Sequence, residues 1–295
     1  MGILIFKIIR GIVIWISIFL LIAWIIIPAY WPIKTAFSRP EDAWNWIPST
    51  LTLQNLVSLV APTAEEYFRG HGIRAALPIP ISQAIRNSFI VSLISSLISV
   101  ALGFLAGYSL ARFQIPNRFK SSIEGLIVFS YTFPVFIIVI PLLMIYRILG
   151  LYNTLLGLAI AHLAYTVPVS TLLIRSYMLN MPKELEDAAL VDGATRMQVL
   201  IRIVLPLSLP AIATAFVFAF TLSWGDLLFS VILISSPEIY TVPIAIQFFL
   251  WGGEIVDPGG LAALTLFVGI VPVILYGFMQ RYIIQGLLRG ALKYG

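Results

Sequence analysis

Long apolar runs separated by short polar segments dominate this sequence. Six runs are long enough, at about 20 mostly apolar residues, to cross the hydrocarbon core of a bilayer as helices. They lie at 8–29, 86–110, 123–146, 154–176, 208–234 and 260–281. No run shows the apolar–polar alternation of a barrel strand. The pattern therefore predicts an all-α, polytopic membrane protein with about six transmembrane helices.

Four prolines fall inside these predicted spans, where a proline kinks a helix without necessarily ending it, provided that neighbouring groups satisfy the freed carbonyls. They are Pro134, Pro141, Pro168 and Pro272. The first span differs, because the prolines and aromatic residues at 28–32 are expected to form an interfacial belt that ends its helix. Its apolar core is too long for a secretory signal and no small-x-small cleavage site follows, so we expect it to be retained.

Composition supports lipid as the solvent of this chain. Hydrophobic residues make up 60% of the sequence and charged residues 11%, which leaves too little polar area to cover a protein in water. The formal net charge is +5, but the basic residues are scattered, so nucleic acid is not an expected partner. The chain has no cysteine and two histidines, which excludes thiolate metal sites and thiol catalysis and leaves little for histidine chemistry.

The distribution of lysine and arginine predicts the orientation. Segments that would be cytoplasmic if the N-terminus is inside carry most of them, whereas the loop at 235–259 has none. We therefore expect both termini in the cytoplasm and the loops 31–84 and 235–259 outside, in the cell membrane. The first loop is long and rich in proline, and it holds Trp44, Trp46, Arg69 and Arg74. Two interpretations stay open for it: a solvated loop with aromatics at the interface, or a docking surface for an extracellular protein.

The inner segment 181–206 predicts a helix–turn–helix. Pro182 suits a first helical turn, and Glu184, Glu186 and Asp187 complement the positive end of a helix dipole. Gly193 is expected to end this helix in a left-handed conformation. A capping box of Thr195 and Gln198 is then expected to begin a second short helix, which Pro206 and Pro210 would close.

This segment resembles the EAA loop of ATP-binding-cassette importer permeases. The family pattern is E-A-A, three residues, glycine, nine residues and I-x-L-P. The matching residues here are Asp187, Ala188, Ala189, Gly193 and Ile203–Pro206, with aspartate in place of the usual glutamate. The resemblance continues in Asn87-Ser88, in Trp224-Gly225-Asp226, and in a C-terminal segment similar to that of MalG-type sugar permeases, which includes Gly290 and Lys293.

The resemblance implies a type I importer transmembrane fold and a set of partners. Glu184, Glu186, Asp187, Ala188, Ala189 and Gly193 are then expected to dock on an ATPase, and Gly290 and Lys293 to contact the two ATPase copies. A second, MalF-type permease and an extracellular solute-binding protein complete the expected importer, with a sugar or oligosaccharide as cargo. By this resemblance, residues 1–84 form the first transmembrane helix and the long extracellular loop. Residues 85–285 form the transmembrane core, with the EAA loop at 181–206, and residues 286–295 form a cytoplasmic tail.

Catalysis is not expected in this chain, because no Gly-rich loop precedes a Lys-Ser/Thr pair. No cofactor is therefore expected here, and the resemblance assigns ATP and Mg²⁺ to the partner subunits. Two alternatives remain. One is a stand-alone secondary transporter or channel, for which inverted repeats or broken-helix pairs are expected. The other is a membrane-embedded enzyme, which would need clustered acids or histidines in its spans.

A few polar residues inside the predicted spans are candidates for a substrate path. Placing the charged side chain of Asp226 inside a membrane costs free energy. We therefore expect that Asp226 has a functional role or a buried partner, or that the span boundary is wrongly placed. Trp224 is its neighbour, and His162 and Tyr165 either line a cavity or make interhelical contacts. The second span carries small residues on one helical face, which indicates either close helix packing or a polar path. These are Ser88, Ser92, Ser95, Ser99, Gly103 and Gly107.

Overall fold

The computed structural model describes residues 2–60, 79–251 and 258–291. It divides into two compact units, Met1–Pro80 with Ile246–Gly269, and Ile81–Ala245 with Ile270–Gly295. The helices in chain order are α1 Gly2–Ala36, α2 Gln54–Val60, α3 Ile81–Arg112, α4 Asn117–Thr132, α5 Val135–Ile148, α6 Leu155–Asn180, α7 Glu184–Val191, α8 Arg196–Leu207, α9 Leu209–Trp224, α10 Leu228–Leu233, α11 Val242–Trp251 and α12 Pro258–Ala291. Of the predicted loop residues, Arg69 and Arg74 lie outside the described ranges.

The long apolar helices confirm the predicted multi-pass α-helical class. Within the described ranges, α1, α3, α6 and α12 are each long and apolar enough to cross a membrane. Two bent pairs, α4 with α5 and α8 with α9, bring the number to six if each pair makes one crossing. The tail predicted to begin at residue 286 is helical through Ala291, as the last part of α12.

The prediction of one kinked helix at 123–146 is wrong. The chain bends by 90° between α4 and α5. Phe133 is extended at ψ 132°, and Pro134 stands at the start of α5. A residue before proline is pushed out of the helical region by the proline ring, and proline has no N–H to continue the hydrogen-bond ladder. These effects end α4 here, whereas Pro141 lies inside α5.

The prediction of one continuous helix at 208–234 is also wrong. Helix α9 ends at Trp224, and α10 begins only at Leu228. Gly225 has low helix propensity, and the Asp226 carboxylate accepts a hydrogen bond from the Ser230 N–H at 3.2 Å. Together they replace the regular ladder with a break at residues 225–227.

The first helix continues past its expected end. Pro28 and Pro32 lie inside α1, which ends at Ala36. Its last turn is held by Lys34, whose buried ammonium donates to the Ala43 carbonyl at 2.6 Å and to the Asn45 carbonyl at 2.7 Å. These bonds fix the loop that follows against the end of the helix, so the interfacial belt forms part of the helix instead of terminating it.

The small residues of α3 serve helix packing. Ser99 and Ser170 share a hydrogen bond of 2.8 Å between α3 and α6, and Ser95 lies 3.4 Å from Thr166. A Cβ added to Gly103 would lie 2.7 Å from the Ser170 Cβ, closer than atoms pack. The close approach requires glycine there, so the packing interpretation of this face is confirmed.

Candidate functional site

The segment between α6 and α9 forms the predicted helix–turn–helix. Helix α7 ends at Val191, and Gly193 adopts φ +87°, the left-handed conformation that favours glycine. The N–H of Ala194 donates to the Ala189 carbonyl at 3.0 Å, and that of Gly193 to the Leu190 carbonyl at 3.1 Å. The reversal expected at Gly193 is confirmed.

The second short helix begins with the predicted capping box. The Thr195 N–H donates to Gln198 Oε1 at 2.8 Å, and the Gln198 N–H donates to Thr195 Oγ1 at 3.3 Å. Two boundaries differ from expectation. Lys183, one residue after Pro182, caps α7, and Pro206 lies inside α8, which continues to a turn at Ser208 before bending 70° into α9.

One side of this loop is open to a partner. Glu184, Asp187 and Ala188 are exposed on α7, and Ala189 is half-buried. Several apolar side chains of the two loop helices are exposed as well. They are Leu185, Val191, Met197 and Ile201. Exposed apolar residues next to acidic ones are typical of a surface that a protein partner covers.

Glu186 does not belong to this open side. Its side chain is buried, and its Oε1 lies 2.5 Å from Arg112 Nε at the end of α3. The Tyr108 hydroxyl donates to Oε2 at 3.0 Å. Glu186 thus turns toward the membrane helices of its own chain. Tyr108 and Arg112 were not among the sequence candidates, because nothing in the order of residues pairs them with Glu186, 74 positions beyond Arg112.

A polar cavity of about 490 Å³ lies between the end of α3 and the loop helices. Charged groups of both signs line it. They are Arg112, Lys183, Glu186, Asp187 and Arg196, together with Gln114 and Tyr108. Asp187 is therefore exposed and lines the same cavity as three basic side chains.

The second group of candidates meets at the break between α9 and α10. His162, on α6, lies 2.6 Å from Ser223 Oγ through Nδ1 and 3.2 Å from Asp226 Oδ2 through Nε2. A neutral imidazole that donates from Nε2 to the carboxylate accepts at Nδ1 from the Ser223 hydroxyl. Asp226 also accepts from the Ser230 N–H at 3.2 Å. Asp226 thus has a buried partner, as expected from the free-energy cost of a charged side chain inside a membrane.

Two aromatic residues complete this polar cluster. The ring of Tyr165 lies 5.6 Å from that of His162 and stacks on Phe229 at 6.1 Å. Trp224 is buried and stacks on Phe220 at 5.7 Å. The Tyr165 hydroxyl and the Trp224 Nε1–H are both buried and have no hydrogen-bond partner among the described residues.

A comparison with known families decides the class of this chain. Residues 99–289 match the model of the family described as the binding-protein-dependent transport system inner membrane component. The chain belongs to this family. The matched region includes α7, Gly193 and the polar cluster, so this inner membrane component carries both candidate sites within its family core.

Curated relatives of this inner membrane component are permease subunits. The sulfoquinovosyl glycerol transport system permease protein SmoH of Agrobacterium fabrum is 35% identical over 234 residues, 79% of each chain. The trehalose transport system permease protein SugB of Mycobacterium tuberculosis is 30% identical over 278 residues, 93% of this chain and 94% of the relative. In fold, the chain matches a bacterial ABC transporter that imports the acidic polysaccharide alginate, with a TM-score of 0.67 and 19% identity over 93% of this chain and 96% of that one. It is thus a permease subunit of an ABC importer.

The structure brings some of the predicted residues of this permease together and separates others. His162 and Asp226 are in contact, and Tyr165 is a neighbour of His162. Ser223 and Ser230, which sequence reasoning missed, stand three and four positions from Asp226, a helical spacing that could have indicated them. Gly290 lies in the last turns of α12, and Lys293 lies outside the described residues.

One apolar groove of the permease is unsuited to a sugar. It measures about 790 Å³ and is lined by apolar side chains of α3, α8, α9 and α12, among them Phe104, Leu209 and Phe216. Carbohydrate hydroxyls need hydrogen-bond partners when they leave water. The polar cluster around Asp226 is the better candidate for a substrate contact.

Proposed function

We propose that this permease subunit carries a sugar or oligosaccharide, forming the path with a second, MalF-type permease. Two copies of an ABC ATPase bind ATP and Mg²⁺ and supply the energy, and an extracellular solute-binding protein delivers the cargo. The helix–turn–helix around Gly193, with Asp187 exposed on it, is the observation that carries the proposal. The named cargoes of its relatives, sulfoquinovosyl glycerol and trehalose, support the carbohydrate class.

The docking surface in this proposal is the open side of α7. Glu184 and Asp187 offer carboxylates to basic groups of the ATPase, and Ala188 and Ala189 allow a close approach. Charge-assisted hydrogen bonds are stronger than neutral ones, and they gain further when the contact excludes water. The tail residues Gly290 and Lys293 are proposed to contact the ATPase pair. The site for ATP hydrolysis is assigned to that pair and not to this chain.

The proposed substrate path runs past the polar cluster. The Trp224 Nε1–H and the Tyr165 hydroxyl lack partners among the described residues, and a buried donor without a partner costs free energy. A sugar hydroxyl would satisfy either group. His162 and Asp226 supply the fixed polar framework beside them.

The orientation in this proposal places both termini in the cytoplasm. The loop helices then face the ATPases, and the loops 31–84 and 235–259 face the binding protein. The scarcity of lysine and arginine in the short outer loops supports this arrangement.

The proposal is tested by deleting the gene from its host and measuring uptake of labelled carbohydrates. A suitable panel contains a disaccharide, a glycosyl glycerol and a uronic acid oligosaccharide. We expect uptake of one class to be lost and to return with the intact chain but not with Gly193→Val. Uptake that continues after ATP depletion, while the membrane potential persists, would instead identify a secondary transporter. Unchanged uptake of all carbohydrates would contradict the proposed cargo.

A further inference from the structure

The buried ion pair of Arg112 and Glu186 joins the loop helix to a membrane helix. Both side chains are less than one tenth exposed, and the two groups lie 2.5 Å apart. Arg112 Nη2 also donates to the Met181 carbonyl at 2.9 Å, just before α7, and the Tyr108 hydroxyl occupies the second oxygen of Glu186 at 3.0 Å. Each charged group is therefore held by at least two bonds, the condition under which a buried pair fixes one geometry.

This pair is the polar attachment of α7 to the membrane helices. Within the described ranges, Glu186 alone on α7 makes side-chain hydrogen bonds to another helix. Ala189 and Leu190 also pack against an apolar core that includes Phe104 and Met178. Apolar contacts lack direction and permit sliding, whereas a hydrogen-bonded ion pair specifies register. The pair therefore fixes the position of α7 relative to the end of α3.

Helix α3 has a matching attachment at its opposite end. Asn87 Nδ2 donates to the Glu238 carbonyl at 3.0 Å and to the Tyr240 carbonyl at 2.9 Å. The Ser88 hydroxyl accepts from the Val242 N–H at 2.8 Å. Asn87 and Arg112 are separated by about 38 Å at the rise of an α-helix. Between them, α3 is packed closely on α6, as the contact at Gly103 requires.

We propose that Arg112 and Glu186 are positioning residues that couple the loop helix to α3, so that movement of a docked ATPase reaches the segment 237–242 on the other side. The inference rests on the proposed function and assigns Glu186 a task distinct from that of Asp187. Asp187 holds the ATPase, and Glu186 passes on its movement. Tyr108 orients the Glu186 carboxylate from the neighbouring turn of α3.

The test compares single variants with a charge exchange in the importer purified from its host through a tag on this chain. Glu186→Gln and Arg112→Glu should leave the amount of bound ATPase subunit at the parental level. The sugar carried per ATP hydrolysed, measured in proteoliposomes with the carbohydrate found in the uptake experiment, should fall about tenfold or more, because removing one partner of a buried ion pair is costly. The exchange Arg112→Glu/Glu186→Arg should restore most of this ratio.

A matched control is Arg118→Glu, which makes the same charge change at an exposed arginine of α4 whose side chain has no partner among the described residues. It should behave as the parent does. Tyr108→Phe, which removes one hydroxyl and keeps the ring, should lower the ratio less than Glu186→Gln does. Thermal unfolding of each purified variant separates a fold defect, which lowers the unfolding temperature, from a coupling defect, which lowers only the sugar carried per ATP hydrolysed. The charge exchange should restore both quantities.

Two outcomes would overturn the inference. Glu186→Gln that loses the ATPase but keeps the parental ratio would make Glu186 a docking residue. Single variants that retain the parental ratio would show that the pair transmits nothing. Failure of the unmodified chain to recover any ATPase subunit is a different result, since it contradicts the proposed function itself.

Discussion

Glu186 and Asp187 are neighbours in the sequence and line the same cavity, yet one side chain is buried and the other is exposed. Glu186 is buried on Arg112 at 2.5 Å, whereas Asp187 is exposed on the open side of α7. Consecutive residues on a helix point about 100° apart, so Glu186 can contact α3 while Asp187 stays accessible to a partner. The acidic cluster of this loop is therefore divided between an internal and an external contact.

Asp187→Lys is expected to weaken binding of the ATPase subunit. If the carboxylate meets a basic group in a water-excluded contact, losing it costs ~2 kcal/mol or more, which corresponds to about a 30-fold rise in Kd. The measurement is the amount of ATPase that co-purifies with the tagged chain at several ATPase concentrations.

The matched variant is Asp187→Glu, which restores the usual family residue and should bind nearly as the parent does. Insertion in the membrane should be the same for both. If the lysine variant recovered as much ATPase as the parent and also transported at the parental rate, Asp187 would have no docking role.

Gly193→Val is expected to loosen the helix–turn–helix. A Cβ at Gly193 meets no atom within 4 Å, so the penalty comes from the left-handed backbone at φ +87° and not from crowding. That conformation costs a branched residue ~1–2 kcal/mol, which predicts a rise of about 5- to 30-fold in hydrogen exchange at the ends of α7 and α8.

Gly193→Asn is the control for this change, because asparagine tolerates the left-handed region better than valine. Its exchange rates should lie between those of the parent and of Gly193→Val. Equal rates in all three chains would mean that the turn does not depend on glycine.

The features predicted correctly from sequence are those set by nearby residues. The reversal at Gly193 and the capping box of Thr195 and Gln198 each close within a few positions, so spacing alone specifies them. The orientation of Glu186 depends on Arg112, which is 74 positions away, and no local pattern contains that information. The break at Asp226 was not predicted, because one charged residue hardly changes the mean hydropathy of a long apolar window. Its partner His162 is 64 positions away, so no local pattern shows their contact.

The proposed topology predicts which single cysteines react with an impermeant thiol reagent. Ile47 and Val191 are suited to this test because both are more than four fifths exposed, and the chain has no native cysteine. In intact cells, Ile47→Cys should be labelled and Val191→Cys should not, until the membrane is permeabilised. The reverse pattern would place the loop helices outside and exclude docking to a cytoplasmic ATPase.

The loop after α1 is expected to loosen in acid. Hydrogen bonds from the Ser49 hydroxyl and the Asn45 side chain lower the pKa of the Asp42 carboxyl below its ordinary value of 3.8. Because the folded pKa is the lower one, Asp42 stabilises the loop above pH 3.8, and this contribution is lost as the pH falls through the lowered pKa. Tryptophan fluorescence should report the change, since Trp31 contacts Trp44 and Trp46.

Asp42→Asn should remove this acid transition and loosen the loop already at neutral pH. Glu41→Gln, at the exposed neighbour, should keep the transition. If Asp42→Asn left the acid transition where it is in the parent, another group would be responsible for it.

The contact of His162 with Asp226 allows the charge at this site to be separated from its hydrogen bonds. Asp226→Asn retains an oxygen that can accept from His162 Nε2 and from the Ser230 N–H, but it removes the negative charge. Asp226→Leu removes both, and leaving a buried donor without a partner typically costs ~1–3 kcal/mol. If Asp226 acts on the sugar or on one access state through its charge, the asparagine variant should unfold at nearly the parental temperature and transport poorly, whereas the leucine variant should lose both properties. Ser223→Ala, which affects only the opposite nitrogen of the imidazole, is the control and should transport better than Asp226→Asn. Parental transport by Asp226→Asn together with a large loss of stability in Asp226→Leu would instead restrict the pair to holding α6 against the break between α9 and α10.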